Sequence, residues 1–225
     1  MVCVRRAGLL GLVAGLIPLF SQEQPAAAGG QTSQNPQSQK SIIEMATRIQ
    51  KEILRLPNYG VFDDLGFGIR NYEVTLKGYA SRPTLKSSAE NVTKKVEGVE
   101  KVVNNIEVLP LSNVDDGIRA RVYAAIYFNP VLSRYNPNRG SPIWMSPARI
   151  ATGITNDPPP GFHPIHIIVK NGNVTLTGVV ANVGDKNIAG IQANSVSGVF
   201  SVDNQLHVES EAKPKKESKS KKEKE

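Results

Sequence analysis

Hydrophobic positions recur along this chain with two different periods. Phe67 and Ile69, then Val74 and Leu76, alternate with polar or small residues, the period of two that a half-buried strand requires. Leu85, Ala89, Val92 and Val96 follow at spacings of four, three and four, which sets them on one face of a helix that Pro83 can open and Gly98 can end. A last strand then places Val102, Asn104, Ile106 and Val108 on one face, against Val103, Asn105 and Glu107 on the other. Ahead of all these, Ser41-Ile-Ile-Glu44 has the form of a capping box and predicts a helix over 42–55, stopped by Pro57. The elements therefore read helix, strand, strand, helix, strand.

The same order returns one hundred residues later. Asn71, Val74-Thr75-Leu76 and Gly78 recur as Asn171, Val174-Thr175-Leu176 and Gly178. Val96, Gly98-Val99, Val102, Asn104 and Val108 recur as Val196, Gly198-Val199, Val202, Asn204 and Val208, without a gap. Thirteen identities over the columns 71–108 are too many for chance in this composition, so the chain carries two copies of one unit. In the second copy the hairpin turn is Asn171-Gly172, a dipeptide that accepts the positive φ angles of a type I′ turn. Its first helix is expected from about Asp115 to Phe128. The expected fold is α+β: two tandem α-β-β-α-β repeats over 41–110 and 112–210, each a three-stranded sheet covered by two helices.

The ends of the chain differ from the repeats. Arg5-Arg6, an apolar stretch from Ala7 to Phe20, and Ala26-Ala27-Ala28 stand in the order of an export signal over 1–28, with cleavage near Ala28. That apolar stretch is too short to span a bilayer as a helix. Residues 29–40 hold no residue type that could anchor a core and read as a flexible linker, and 211–225 are a Lys/Glu-rich tail expected to be disordered. The only cysteine is Cys3, so disulfides and thiolate metal sites are not available to the repeats. The formal charge of +7 resides largely at the ends: seven lysines against four glutamates in 211–225 already supply +3. With the repeats close to neutral, no basic groove for nucleic acid is written into them.

The Val-Thr-Leu-x-Gly strands, the Gly-Val pairs at 98–99 and 198–199, and the Asn-x-hydrophobic-x-Val endings resemble the BON domain family. The resemblance covers nearly all of 42–210 and implies the helix–strand–strand–helix–strand pattern. It makes Gly78, Gly98, Gly178 and Gly198 structural residues, at strand exits and helix ends. Tandem copies behind an export signal look like soluble periplasmic members, which implies a non-enzymatic protein associated with the envelope. The resemblance further implies binding of phospholipid surfaces and support of envelope integrity under osmotic stress. A protein–protein or chaperone-like module in an envelope assembly is the alternative.

The second copy departs from the pattern in a Pro/Gly-rich insertion over 133–163. It holds the only tryptophan, in Ile143-Trp144-Met145, with Arg139 and Arg149 near by. An aromatic and aliphatic tip flanked by arginines suits a lipid interface, with indole at headgroup depth and guanidinium on phosphate; folding back to cap its own repeat is the other reading. Tyr123 and Tyr127, one turn apart on a helix apolar over much of its circumference, are a second candidate surface, for a membrane or for the other repeat. His163-Pro-Ile-His166 lacks a nearby third ligand, and strand alternation puts His166 and His207 off the core face, so no metal site or cofactor is expected. Asp63-Asp64 falls in a loop and Asp115-Asp116 at a helix start, which does not call for acid–base chemistry. No nucleophile elbow, phosphate loop or Gly-x-x-Gly clamp is present in 29–225. The expected partner is thus an anionic phospholipid or another envelope component, with an envelope protein as the second option.

Overall fold

The computed structural model describes residues 36–139, 154–155 and 158–209. The expected export signal, residues 29–35 of the expected linker, residues 140–153 and 156–157 of the insertion, residue 210 and the tail 211–225 lie outside them.

The first repeat runs α1 (Pro36–Leu54), β1 (Asp64–Arg70), β2 (Glu73–Ala80), α2 (Pro83–Lys94) and β3 (Lys101–Val108). The second runs α3 (Asn113–Tyr127), a 3-10 turn (Leu132–Tyr135), β4 (Ile165–Lys170), β5 (Asn173–Val180), α4 (Val183–Asn194), β6 (Ser201–Asn204) and β7 (His207–Val208). Each sheet has the same plan. A hairpin pairs β1 with β2 and β4 with β5 antiparallel, and a crossover through α2 or α4 brings β3 or β6 parallel to the central strand. β7 continues the line of β6 along β5. The hairpin turns take the positive φ angles that Asn tolerates: Asn71 and Tyr72 in one, Asn171 and Gly172 in the other.

Two local expectations are corrected. α1 begins at Pro36, so Ser41 is inside the helix rather than capping it, and residues 36–40 are helical, not linker. A proline at the first helical position leaves no donor unsatisfied, which lets the helix start earlier than the Ser-x-x-Glu signal indicates. Gly78 and Gly178 sit inside β2 and β5 rather than at their exits, opposite Leu65 and Ile165. Their φ values are +113° and +114°, and a Cβ at either would collide with the carbonyl oxygen of Asp64 or Pro164. Only glycine lets the neighbouring strand come that close. Gly98 and Gly198, at φ +89° and +90°, follow the C-terminal ends of α2 and α4.

A polar residue on each core face ties helix to strand. Asn104 donates from Nδ2 to the Lys86 carbonyl at 3.0 Å and accepts from the Ile106 amide at 3.2 Å. Asn204 does the same with Lys186 at 2.7 Å and Leu206 at 3.3 Å. A half-buried amide side chain is thereby satisfied on both ends, which accounts for asparagine amid valines and isoleucines.

The two cores are not independent. The first is built on Ile49, Ile53, Leu76, Leu85 and Ile106, and the second on Val122, Ile126, Ile167, Leu176 and Leu206. Val61 and Phe62, from the α1–β1 loop of the first repeat, belong to the second core. Phe62 meets the Tyr123 ring edge-on at 6.4 Å. If this loop joins the repeats, Phe62→Ala removes roughly 3 kcal/mol or more of unfolding free energy, as for other buried aromatic truncations. Hydrogen exchange should then quicken in α3 and β4, although the substitution lies in the other repeat.

Candidate functional site

β4 is the outer strand of its sheet, and its free edge is where the repeats meet. An exposed edge of this kind is a template for unwanted pairing unless its backbone groups are covered. Here each outward group with a known partner is covered differently. The Tyr127 hydroxyl donates to the Ile165 carbonyl at 2.5 Å and accepts from the Ile165 amide at 3.2 Å. The Ile167 amide donates to the Val61 carbonyl of the first repeat at 2.8 Å. Arg119, 2% exposed, donates from Nη2 to the Val169 carbonyl at 2.6 Å and pairs through Nη1 with Asp116 at 2.5 Å.

Both tyrosines of the expected surface pair are therefore buried. Tyr123 and Tyr127 are 0% exposed and stack on each other at 4.4 Å, so neither offers area to a membrane. The wide apolar arc of α3 arises because one side faces its own sheet and another faces the first repeat's loop. Among the other expected surface residues, Trp144, Ile143, Met145 and Arg149 lie outside the described residues. Arg139 is exposed at the start of that segment and donates to Ser133 Oγ at 2.6 Å.

The two histidines flank the same seam. His163, 2% exposed, has Nε2 at 2.9 Å from the Tyr123 hydroxyl and Nδ1 at 2.9 Å from the Gly161 carbonyl. Burial pushes its pKa down to about 4. His166 lies under the Tyr59 ring at 5.5 Å, and burial lowers its pKa as well, against the pull of Asp64 and Asp63. Its Nδ1 is buried and makes no hydrogen bond among the described residues. Both nitrogens of His163 are engaged, and no group of three or more potential metal ligands occurs among the described residues. A cavity of about 160 Å³ opens beside the pair, walled by Leu54, Tyr59, Gly60, Gly161 and Phe162. His207 is exposed on β7.

The carboxylate pairs act as anchors. Asp63, 1% exposed, accepts from the Gly60 amide at 2.9 Å and the Ser81 amide at 2.6 Å, folding the loop back onto the end of β2. Burial raises its pKa, partly offset by those same amides. Asp115, also 1% exposed, holds the hairpin tip of the second repeat through the Asn171 amide at 2.8 Å and the Gly172 amide at 2.9 Å. Sequence spacing shows acidic pairs but not that one member of each turns inward to backbone donors.

Sequence reasoning also passed over an apolar pole. Leu111, Val114 and Phe200 are 90%, 71% and 82% exposed. Leu111 and Val114 flank Ser112, which caps α3. Asp115 of that helix grips the β4–β5 turn, and Phe200 lies against Gly172 in the same turn. The available signal was the pair of columns 100 and 200, where Glu100 of the first repeat becomes Phe200.

Removing the Asp63 anchor leaves two inward amides without an acceptor. Asp63→Ala should cost roughly 2 kcal/mol or more, and Asp63→Asn, which keeps one acceptor oxygen, distinctly less. Urea unfolding of both variants beside the parent chain checks this.

No curated protein matches this sequence. Among solved structures, the C-terminal domain of CdsD, the structural protein of the type III secretion system of Chlamydia trachomatis, aligns at 16% identity. The alignment covers 74% of this chain and 98% of that one, with a TM-score of 0.24. A second CdsD structure aligns at 14% identity over 75% and 95%, with a TM-score of 0.23. The sequence profile of the BON domain matches twice, at residues 45–110 and 148–210, together more than half of the chain. With the repeated α-β-β-α-β plan, this chain belongs to the BON domain family and carries two tandem copies of the domain.

Proposed function

We propose that this protein is a non-enzymatic, exported component of the cell envelope that rests peripherally on phospholipid surfaces through its second repeat. The observation that carries this reading is the placement of exposed apolar side chains. Of eleven large hydrophobic residues exposed among the described ones, nine lie from Leu111 onward. Three of these, Leu111, Val114 and Phe200, surround the α3 start and the β4–β5 turn. Lys170, paired with Glu107, begins that turn, and Arg121 reaches the Ser197 carbonyl beside it, so the Arg121 guanidinium stands close to the apolar pole.

The energetics suit reversible attachment. Each of these side chains contributes about 1.5–3 kcal/mol when fully buried, so partial insertion of three gives a few kcal/mol, comparable to one acyl chain. Trp144, Ile143 and Met145 are proposed as a second apolar contact, with Arg139, Arg149 and the lysine tail on anionic phosphate. Residues 1–28 would deliver the chain across the inner membrane. No described helix is long and apolar enough to cross a bilayer, which is in keeping with attachment from one side. Support of envelope integrity under osmotic stress follows from this reading as its physiological role.

Co-sedimentation with vesicles of anionic and of neutral phospholipid, across a salt series, tests the proposal. Binding to anionic vesicles should fall at least about tenfold in a Val114→Ser/Phe200→Ser variant and also weaken with salt, as screened charge contacts do. Trp144→Ala reports on the second contact. If the parent chain sediments with neither vesicle, the lipid reading is wrong and the exposed pole is left as a docking surface for an envelope protein.

A further inference from the structure

The seam between the repeats places the buried His163 and the half-buried His166 beside a carboxylate already engaged by two backbone amides. Asp63 spends one oxygen on Gly60 and the other on Ser81. His166 faces it from β4 without a hydrogen bond at Nδ1. The titratable groups around His166 are the Tyr59 phenol and Asp63 from the α1–β1 loop, Asp64 from β1, and His163 from its own lead-in segment. Behind His163 stand the Tyr123 and Tyr127 rings, at 5.5 Å and 5.1 Å. The cavity beside the histidines is bounded by both repeats, through Leu54, Tyr59 and Gly60 on one side and Gly161 and Phe162 on the other.

We propose that this seam is an acid-released joint: protonation of His163 and His166 shifts it toward an open form in which the Tyr59–Phe62 loop leaves β4. At neutral pH both rings are uncharged and the closed seam holds the two domains as one body. On opening, the loop withdraws from the cavity, water reaches both rings, and a charged imidazole is solvated there as it is not when closed. Release also uncovers Phe62 and the Tyr123 face, so acid would add apolar surface to the second repeat.

The sign follows from the direction of each shift. A histidine whose pKa is lowered in the closed state takes up its proton more readily in the open one, so closure is favoured above the ordinary value of 6.5 and loses that advantage as pH falls toward the closed-state value. With His163 at about 4 when closed, its contribution to opening at pH 5 is roughly 30-fold. Asp63 works the other way, since its raised pKa favours the closed form as it protonates. The tyrosines, with pKa values raised further above neutrality, do not titrate in this range.

Hydrogen exchange of the Ile167 amide, the donor to Val61, reads the joint directly in the full chain. After correction for intrinsic rates and referenced to amides inside the β4–β5 ladder, its protection should fall about 10- to 30-fold between pH 7 and pH 5. In a His163→Gln/His166→Gln variant the fall should shrink to about twofold or less. Should the double variant not fold, His166→Gln alone must still reduce the fall. Unchanged Ile167 protection in the parent chain, or an equal loss in the histidine variants, would overturn the proposal.

Discussion

The joint between the two repeats is organised on the outer edge of β4, with Arg82 of the first repeat adding a contact to the Thr155 carbonyl of the second. A sheet's last strand exposes donors and acceptors that water must satisfy or another element must cover. In the second repeat the cover comes from three sources: the Tyr127 hydroxyl on Ile165, the Arg119 guanidinium on Val169, and the Val61 carbonyl on Ile167. The last of these belongs to the first repeat, and Phe62 follows it into the second core. Because a buried backbone group without a partner is costly, the edge binds the loop as firmly as the loop protects the edge.

The two copies have kept the same skeleton and exchanged its surface. Gly78 and Gly178, Gly98 and Gly198, and the asparagines at 104 and 204 do the same work in each. Around them the columns diverge. Glu90 accepts from Asn104 Nδ2 in the first repeat, whereas with Gly190 in that column Asn204 Nδ2 donates to the carbonyl of Lys186 without a side-chain acceptor beside it. Tyr72 takes a left-handed conformation opposite Glu100, while in the second copy a glycine at that turn makes room for Phe200. These exchanges leave the first repeat largely polar outside and concentrate exposed apolar residues on the second.

Buried charge is used here for position. Asp63, Asp115 and Arg119 are each nearly inaccessible, and each directs its polar atoms at backbone groups of another element. Such contacts give less stability than the burial of an equal apolar surface, but they specify which loop meets which strand. At the seam this choice has a consequence, because the Asp63 oxygens hold backbone amides while Nδ1 of the neighbouring His166 makes no hydrogen bond among the described residues, so the carboxylates offset the burial of its ring only in part.

The repeat, the order of its elements and the face each strand buries were legible in the sequence, since period-two and period-3.6 patterns report local geometry and a gapless offset reports a shared fold. The structural role of the glycines was legible as well, because a backbone that needs positive φ or close approach leaves no other residue, but the place of Gly78 and Gly178 inside their strands was not, since it depends on how near the neighbouring strand comes. The start of α1 was not, since Ser-x-x-Glu satisfies the same local rule inside a helix as at its cap. Nor were Tyr123 and Tyr127 assignable to inside or outside: the periodicity of α3 shows a wide apolar arc, while only docking of the first repeat's loop decides what covers it. Asp63, His163 and His166 acquired their environments in the same way, from residues far apart in sequence, such as Tyr59 and His166, being brought to one edge, as the Lys170–Glu107 pair across the two repeats also attests. Local pattern determined the units; long-range burial and the need to satisfy β4's free edge decided how they join and which of their side chains remain for a partner.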